Sequence, residues 1–130
     1  MPKRIYKIRG ISLGTASSNT RYGRKEDSLL VTIPQESILS GKFTSNKLKA
    51  APVKLAIENL SNSKKAKKVL LINAGNANAA TGPKGLKDVR KYCKEIALDF
   101  KISQENVIPF STGVIGEPLA TENYLSLIHI

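Results

Sequence analysis

One feature of this chain constrains its fold most: a short apolar run is followed by small residues and then by a long amphipathic segment. Residues 69–73 form the run, and residues 85–100 form the segment. Branched apolar residues in so short a run predict a buried strand. The segment predicts a helix whose buried stripe, at intervals of three and four, is Leu86, Val89, Cys93, Ile96, Ala97 and Phe100. A strand that is followed by a helix in this way indicates a mixed α/β domain.

Three other runs predict strands. Residues 27–33 are apolar and β-branched up to Pro34, which ends the run. Residues 42–46 predict a second short strand that leads into a turn. Residues 107–111 predict a further strand, in which Pro109 has no N–H for the ladder and so indicates a sheet edge or a strand end.

A second helix is predicted at residues 51–60. Pro52 suits its first turn, where a backbone N–H would have no helical partner. The predicted apolar face consists of Val53, Ala56, Ile57 and Leu60. With 130 residues and no linker, repeat or low-complexity stretch, the chain is expected to form one domain at most.

The net charge of +11 raises the question of nucleic-acid binding, because lysine and arginine displace counterions from phosphates. Lysine outnumbers arginine about three to one, however, whereas base and phosphate recognition favours arginine. Only 5% of the residues are aromatic, which leaves little for base stacking. The charge therefore indicates a lysine-rich solvated surface without a specific nucleic-acid partner. A small basic RNA- or ribosome-binding module is the alternative.

The single cysteine, Cys93, excludes an internal disulfide and fits a reducing compartment, so the cytoplasm is predicted. Its place on the helix stripe predicts a small core residue rather than a reactive thiol. No apolar run approaches the roughly 20 residues that cross a bilayer, so no membrane partner is expected.

The loop predicted at residues 73–85 has a composition that packing alone does not require. It contains three asparagines, three glycines and four alanines. Small residues let the backbone approach a ligand or a neighbouring strand, and asparagine offers both a donor and an acceptor. A P-loop is excluded, because Lys84 is followed by Gly85 rather than by serine or threonine. The substrate-contact candidates are Asn73, Gly75, Asn76 and Asn78, although a tight strand-to-helix connection would have the same composition.

A second loop, at residues 111–119, places hydroxyl groups beside a glycine just after a predicted strand. Ser111, Thr112 and Gly113 can thereby direct an O–H and a backbone N–H toward one point. An oxyanion hole for acyl transfer needs that geometry, although Ser-Thr-Gly alone is a common sequence.

Other catalytic sets are not expected. His129 is the only histidine and lies one residue from the end, so neither a Ser-His-Asp nor a Cys-His arrangement is predicted in the body of the chain. No metal site is predicted, for the same reason and because there is one cysteine. Glu26 and Asp27 would point apart in a strand and are predicted to lie at the surface.

Six blocks of the sequence, in order, resemble the ornithine acetyltransferase/glutamate N-acetyltransferase family of arginine biosynthesis. They are residues 10–11, residues 22–27, the Phe-Thr-x-Asn and Ala-Ala-Pro-Val blocks at 43–46 and 50–53, and the signature stretches at 73–79 and 111–117. The last two match the acetyltransferase pattern rather than that of a related peptidase with the same fold, which is the nearer alternative.

The resemblance implies an α/β/β/α sandwich like that of N-terminal-nucleophile hydrolases. It implies a precursor that cuts itself ahead of a threonine, giving an α chain and a β chain that assemble as an α2β2 heterotetramer. The freed threonine would carry acetyl from N2-acetylornithine to glutamate without a cofactor. Some members also accept acetyl-CoA, and this part of the sequence leaves that use open. The oxyanion-hole pair of the family matches the hydroxyl of Thr112 and the N–H of Gly113.

Three departures from the family pattern matter. Ala80 stands where many members have cysteine, and Ala120 stands where members usually have proline. No Ala-Thr-Met-Leu-like motif occurs, so no nucleophile is assigned. Residues 1–124 are therefore expected to be a truncated N-terminal, α-chain part of the domain that is inactive alone. Residues 125–130 would be either a helix cut short or a non-native tail, and the tail is the preferred interpretation.

Overall fold

The computed structural model describes residues 6–19, 21 and 23–125, and it confirms the mixed α/β class. In chain order the elements are β1 (Ser12–Ala16), β2 (Ser28–Ile33), α1 (Ala51–Asn62), β3 (Lys68–Asn76), α2 (Gly82–Phe100), a 3-10 turn (Gln104–Asn106), β4 (Val107–Val114) and α3 (Thr121–Leu125). The segment predicted to be a tail lies outside the described residues from residue 126 onward. Among the helices of the described part, none is long and apolar enough to cross a membrane.

The four strands form one mixed sheet in the order β1-β2-β3-β4. The first two pairs are antiparallel, whereas β3 and β4 run parallel, with α2 between them in the chain. A parallel pair needs a long crossover connection, and the helix provides it. Since β4 lies at the edge of the sheet that the described residues form, the prediction that Pro109 marks an edge strand is confirmed.

The strand register divides the side chains of the sheet between two faces. Leu30 and Leu71 lie side by side under the helices, on what we call the helix face, and Leu71 is 2% exposed within the main core. Ile72 and Phe110 lie side by side on the opposite face, which we call the open face. The open face is covered where the apolar residues Ile33 and Ile108 are buried, whereas Leu13 and Phe110 are 58% and 44% exposed.

Helix α2 confirms the predicted amphipathic segment and begins three residues earlier, at Gly82. Its predicted stripe is buried or packed against the core, and Cys93 is fully buried, as predicted. The helix ends where Lys101 takes a left-handed conformation with a φ of 54°. There the N–H of Ile102 donates to the carbonyl oxygen of Ala97 at 3.0 Å, which closes the last turn.

Helix α1 forms where it was predicted, but the prediction of its buried face was wrong. Leu55 and Asn59 are buried, whereas three of the four predicted residues are only half-buried, namely Val53, Ile57 and Leu60. The reason is a buried hydrogen bond of a polar side chain. Asn59 Nδ2 donates to the carbonyl oxygen of Val107 at 2.8 Å, so an amide side chain, rather than an apolar one, faces the start of β4.

The strand predicted at residues 42–46 is wrong, because this segment makes local hydrogen bonds instead of joining the sheet. The N–H of Asn46 donates to Thr44 Oγ1 at 3.2 Å, and Asn46 Oδ1 accepts from the N–H of Leu48 at 2.9 Å. Short polar side chains that bond their own neighbourhood compete with a ladder in this way.

Candidate functional site

The two loops singled out in the sequence leave the sheet side by side. Because β3 and β4 are parallel, their carboxyl ends lie at the same edge. The register pairs Asn73 with Ser111 and Gly75 with Gly113. Both strands continue further than the sequence predicted, so these residues belong to strand ends rather than to loops. The asparagine-rich block and the Ser-Thr-Gly block are therefore in direct contact.

The backbones of β3 and β4 approach closely at Gly113. A Cβ added there would lie 2.3 Å from the carbonyl carbon of Gly75 and 2.6 Å from the amide nitrogen of Asn76. Gly113 also has a φ of 130°, which residues with side chains rarely adopt. Only glycine fits this position, and the neighbouring strand holds its backbone in place.

Thr112 precedes this glycine on the open face of the sheet. It pairs in register with Ala74, and Phe110 lies two residues earlier on the same face. The Thr112 side chain is exposed, and its hydroxyl makes no hydrogen bond to any residue that the structure describes. An uncommitted O–H beside a fixed backbone N–H can bind a carbonyl oxygen that gains negative charge.

Asn73 and Asn76 tie the two strand ends together. Ser111 Oγ donates to Asn73 Oδ1 at 2.5 Å, and Asn73 Nδ2 donates to the carbonyl oxygen of Asn76 at 2.9 Å. Asn76 Nδ2 in turn donates to the carbonyl oxygens of Glu117 and Pro118, at 3.2 and 2.9 Å. Both asparagines are buried, and the bond between them is buried as well, whereas the bonds to Ser111, Glu117 and Pro118 are partly buried.

Asn78 shapes the connection from β3 into α2. Its N–H donates to Asn76 Oδ1 at 2.7 Å, and its own Nδ2 donates to the carbonyl oxygen of Gly85 at 3.0 Å. Its Oδ1 accepts from the Thr81 hydroxyl at 2.8 Å. All three asparagine amides are thus engaged by the chain itself. Substrate contact stays a prediction for the four candidates Asn73, Gly75, Asn76 and Asn78.

Asp27 is buried, although it was predicted to lie at the surface. It is 4% exposed, and its carboxylate accepts the N–H of Ser18 at 2.7 Å as well as the Ser18 hydroxyl. Its carbonyl oxygen accepts the N–H of Ala74 at 2.7 Å, beside the strand position of Thr112. No sequence pattern marked this role, because the partner lies nine residues away in a loop. Tyr22, in the same matched block, lies outside the described residues.

A polar cavity of about 420 Å³ adjoins these strand ends and is lined by Arg21, Gly75, Asn76, Glu117, Pro118, Ala120 and Tyr124. Arg21 and Glu117 form an ion pair there, with side chains 41% and 53% exposed. Exposed pairs of this kind contribute about 0–1 kcal/mol to stability. The guanidinium in this cavity is therefore already matched by a carboxylate, and the pair holds the loop before β2 only weakly.

Within the described ranges, no three histidine, cysteine, aspartate or glutamate side chains come together to hold a metal ion. Burial raises the pKa of the Cys93 thiol to about 12, so the thiol stays neutral in the folded chain. At the surface, a hydrogen bond from Arg90 lowers the pKa of Glu58.

Comparison with known proteins places this arrangement in one family. The model of the ArgJ family matches residues 12–129. The chain is 43% identical over 116 residues to the arginine biosynthesis bifunctional protein ArgJ of Methylococcus capsulatus, covering 89% of this chain and 28% of that protein. It is 38% identical over 135 residues to the protein of the same name from Colwellia psychrerythraea, covering 97% and 32%.

Two solved structures share the fold. The crystal structure of the arginine biosynthesis bifunctional protein ArgJ from Bacillus halodurans has a TM-score of 0.78 and 31% identity, covering 91% of this chain and 61% of that chain. The structure of ornithine acetyltransferase complexed with ornithine from Mycobacterium tuberculosis has a TM-score of 0.83 and 25% identity, covering 93% and 67%. The chain belongs to the ArgJ family, and it spans about a third of the length of the curated relatives it matches.

Proposed function

We propose that this chain supplies the oxyanion-binding part of an acetyltransferase that moves acetyl from N2-acetylornithine to glutamate in arginine biosynthesis. The observation that carries the proposal is the placement of Thr112, with an exposed, uncommitted hydroxyl beside Gly113, whose backbone packs closely against β3. Membership of the ArgJ family supports it, as do the names of the relatives and the ornithine in the Mycobacterium tuberculosis structure.

The proposed reaction has two acyl transfers. A threonine hydroxyl oxygen, from a part of the protein that this sequence does not contain, bonds to the acetyl carbon of N2-acetylornithine. The carbonyl oxygen becomes an oxyanion, the C–N bond breaks, and ornithine leaves with the proton that the threonine lost to its own α-amine. The glutamate amine then attacks the acetyl-threonine ester and restores the hydroxyl. Thr112 O–H and Gly113 N–H donate to the oxyanion in both transfers.

The open face supports the finer fold proposal, an α/β/β/α sandwich completed by a second sheet. Half-buried or exposed apolar side chains line this face beside the proposed site, namely Leu13, Leu29, Val31, Leu70, Ile72 and Phe110. A sheet that packs on another sheet presents such a surface. We propose that the cover is the self-cleaved β chain of the same precursor in an α2β2 assembly. No cofactor takes part, and acetyl-CoA is a second candidate acetyl donor.

A chimera tests the proposal, because the chain matches only 28% of the Methylococcus capsulatus protein. Residues 6–125 replace the matching segment of that relative, and fully processed protein is assayed for acetyl transfer to glutamate. Thr112→Val keeps the branched shape and removes the O–H. We expect kcat to fall about 10²- to 10³-fold, the usual loss for one oxyanion donor. KM should change little, because the charge exists only in the transition state.

Two variants control for packing. Thr112→Ser keeps the hydroxyl and should retain most activity. Thr15→Val makes the same chemical change on β1, where Thr15 is also exposed and pairs with Leu29 of the open face, and it should leave the rate unchanged. Turnover of Thr112→Val at the parent rate would show that Thr112 is only a strand-end residue.

A further inference from the structure

The segment that carries Thr112 and Gly113 is held at both ends by two buried asparagines of β3. At its start, Ser111 Oγ donates to Asn73 Oδ1 at 2.5 Å. At its end, Asn76 Nδ2 donates to two successive carbonyl oxygens, of Glu117 and Pro118. The two asparagines are themselves linked, since Asn73 Nδ2 donates to the carbonyl oxygen of Asn76 at 2.9 Å.

The same β3 residues also contact the middle of the segment. Gly113 lies directly against the peptide that joins Gly75 to Asn76, closely enough that a Cβ would overlap it. The N–H of Ala77 donates to the carbonyl oxygen of Val114 at 2.9 Å, which adds a backbone contact one residue later. A displacement of the Asn76 backbone therefore moves Gly113 as well as the carbonyls that the Asn76 amide binds.

Burial protects part of this arrangement from water. Asn73 is 3% exposed and Asn76 is 9% exposed, and the bond between them is buried, whereas the bonds to Ser111, Glu117 and Pro118 are partly buried. A buried amide that loses its partner is left unsatisfied at a cost in free energy, which keeps the bonds formed. The Thr112 hydroxyl, by contrast, is exposed and makes no hydrogen bond within the described residues. Its position depends on the residues on either side.

We propose that Asn73 and Asn76 are positioning residues that set the direction of the two oxyanion donors. The inference rests on the proposed acyl transfer and assigns a task to the asparagines of the family's signature stretch. Displacement of a catalytic group by about 1 Å can cost roughly 10²-fold in rate, so bonds that prevent it affect catalysis through geometry alone.

A double-mutant cycle with Thr112 separates positioning from general stability. In the processed chimera, Asn76→Ala should lower kcat about 10- to 100-fold with KM nearly unchanged. In the Thr112→Val background, the same change should cost less than about threefold, because part of what Asn76 positions is already gone. A group that only stabilises the fold would lower activity by the same factor in both backgrounds.

Asn106 is the matched control. It is fully buried, its Nδ2 donates to the carbonyl oxygens of Lys64 and Lys67 at 3.2 Å each, and its Oδ1 accepts from the N–H of Lys64 at 2.7 Å. Asn76 makes the same set of bonds, with two carbonyls and one N–H. Asn106→Ala should lower the free energy of unfolding about as much as Asn76→Ala does. It should leave kcat of the folded enzyme unchanged in both backgrounds.

Two milder variants cover the case in which Asn76→Ala does not fold. Asn76→Asp keeps the size and the acceptor but loses both donations, and Ser111→Ala removes only the hydroxyl that Asn73 binds. Each should show the same coupling with Thr112→Val. If the loss of kcat in each variant multiplies fully with the loss in Thr112→Val when the two changes are combined, the positioning role is overturned while the oxyanion proposal stays intact. If Thr112→Val alone turns over at the parent rate, both proposals are overturned.

Discussion

The helix face and the open face of the sheet differ in what the chain itself provides to cover them. On the helix face, Val69 and Val107 are fully buried beneath α1 and α2. On the open face, Leu13 and Phe110 stay 58% and 44% exposed, and Thr112 lies among them. The stable part of the domain and the proposed reactive part therefore use opposite sides of one sheet. The proposed site is therefore completed by whatever covers the open face.

The largest expected effect comes from neighbouring leucines of β3 that point to opposite faces. Leu71 is 2% exposed on the helix face, and Leu70 is half-buried on the open face. Leu71→Ala should cost about 2–5 kcal/mol of unfolding free energy, measured with urea, because it opens a cavity in a closed core. Leu70→Ala in the separate chain should cost less than half as much. Equal losses would contradict the difference between the faces.

Phe110→Ser sharpens the comparison, because its effect should depend on the cover. In the separate chain, Phe110 is already half-exposed, so its loss should change stability by about 0.5 kcal/mol or less and should reduce the binding of a hydrophobic dye. In the chimera, where the proposed second sheet covers this face, the same change should cost about 1.5–3 kcal/mol. A loss of equal size in both proteins would mean that the open face stays open.

The sequence predicted the helix face of the sheet and its cover well. The apolar stripe of α2 repeats at helical spacing, because the residues that pack on the sheet must all lie on one side of the helix. Where polar groups are buried, the pattern fails. The prediction ended β3 at residue 73, but the strand continues to Asn76, because its asparagines bond to one another and to the next strand. The face of α1 was mispredicted for the same reason, at Asn59.

The candidate site was predictable only in part. The blocks that contain Asn73 and Thr112 stood out by composition and by resemblance, and the parallel register brings them together. What each side chain does there was not readable. A buried asparagine and one that faces substrate look alike in a sequence. Asp27 differs from a surface aspartate through contacts such as that with Ser18, which reaches it by the fold of a loop. The roles proposed for Thr112 and Gly113 stay predictions.

The buried thiol of Cys93 gives a pH-dependent measure of how closed the helix face is. Burial raises the pKa of Cys93 from 9.0 to about 12. As pH rises above 9, the thiol of the unfolded chain loses its proton first, so stability falls, by at most about 1.4 kcal/mol per pH unit. Cys93→Ala should make this fall in stability smaller, which urea unfolding of the chimera at pH 9 and 10 would measure. A slope should remain, because burial also raises the pKa of Tyr92. If stability falls equally with pH in the chimera and in its Cys93→Ala variant, water reaches the thiol.

The smallest expected effect is a gain, at the edge of the helix face. Gly14 on β1 pairs with Leu30 and lines a cavity of about 150 Å³ whose walls include Tyr92 and Ile96. A Cβ added there meets no atom within 4 Å. Glycine inside a strand costs about 0.5–1 kcal/mol relative to alanine, and β-branched residues suit strands, so Gly14→Val should raise the unfolding free energy by about that amount.

Gly113, which also lies in a strand, is the control for that gain. Gly113→Ala would force a Cβ to within 2.3 Å of the Gly75 carbonyl carbon, at a φ of 130°. It should destabilise the chimera by about 1–3 kcal/mol, since strain of this kind has no nearby relief. The opposite signs expected at the two positions test whether the helix face has room at its β1 edge and none at β4. If Gly14→Val is neutral or destabilising in urea unfolding, the cavity beside Tyr92 does not accept a side chain, and the cover that α2 provides is already complete at that edge.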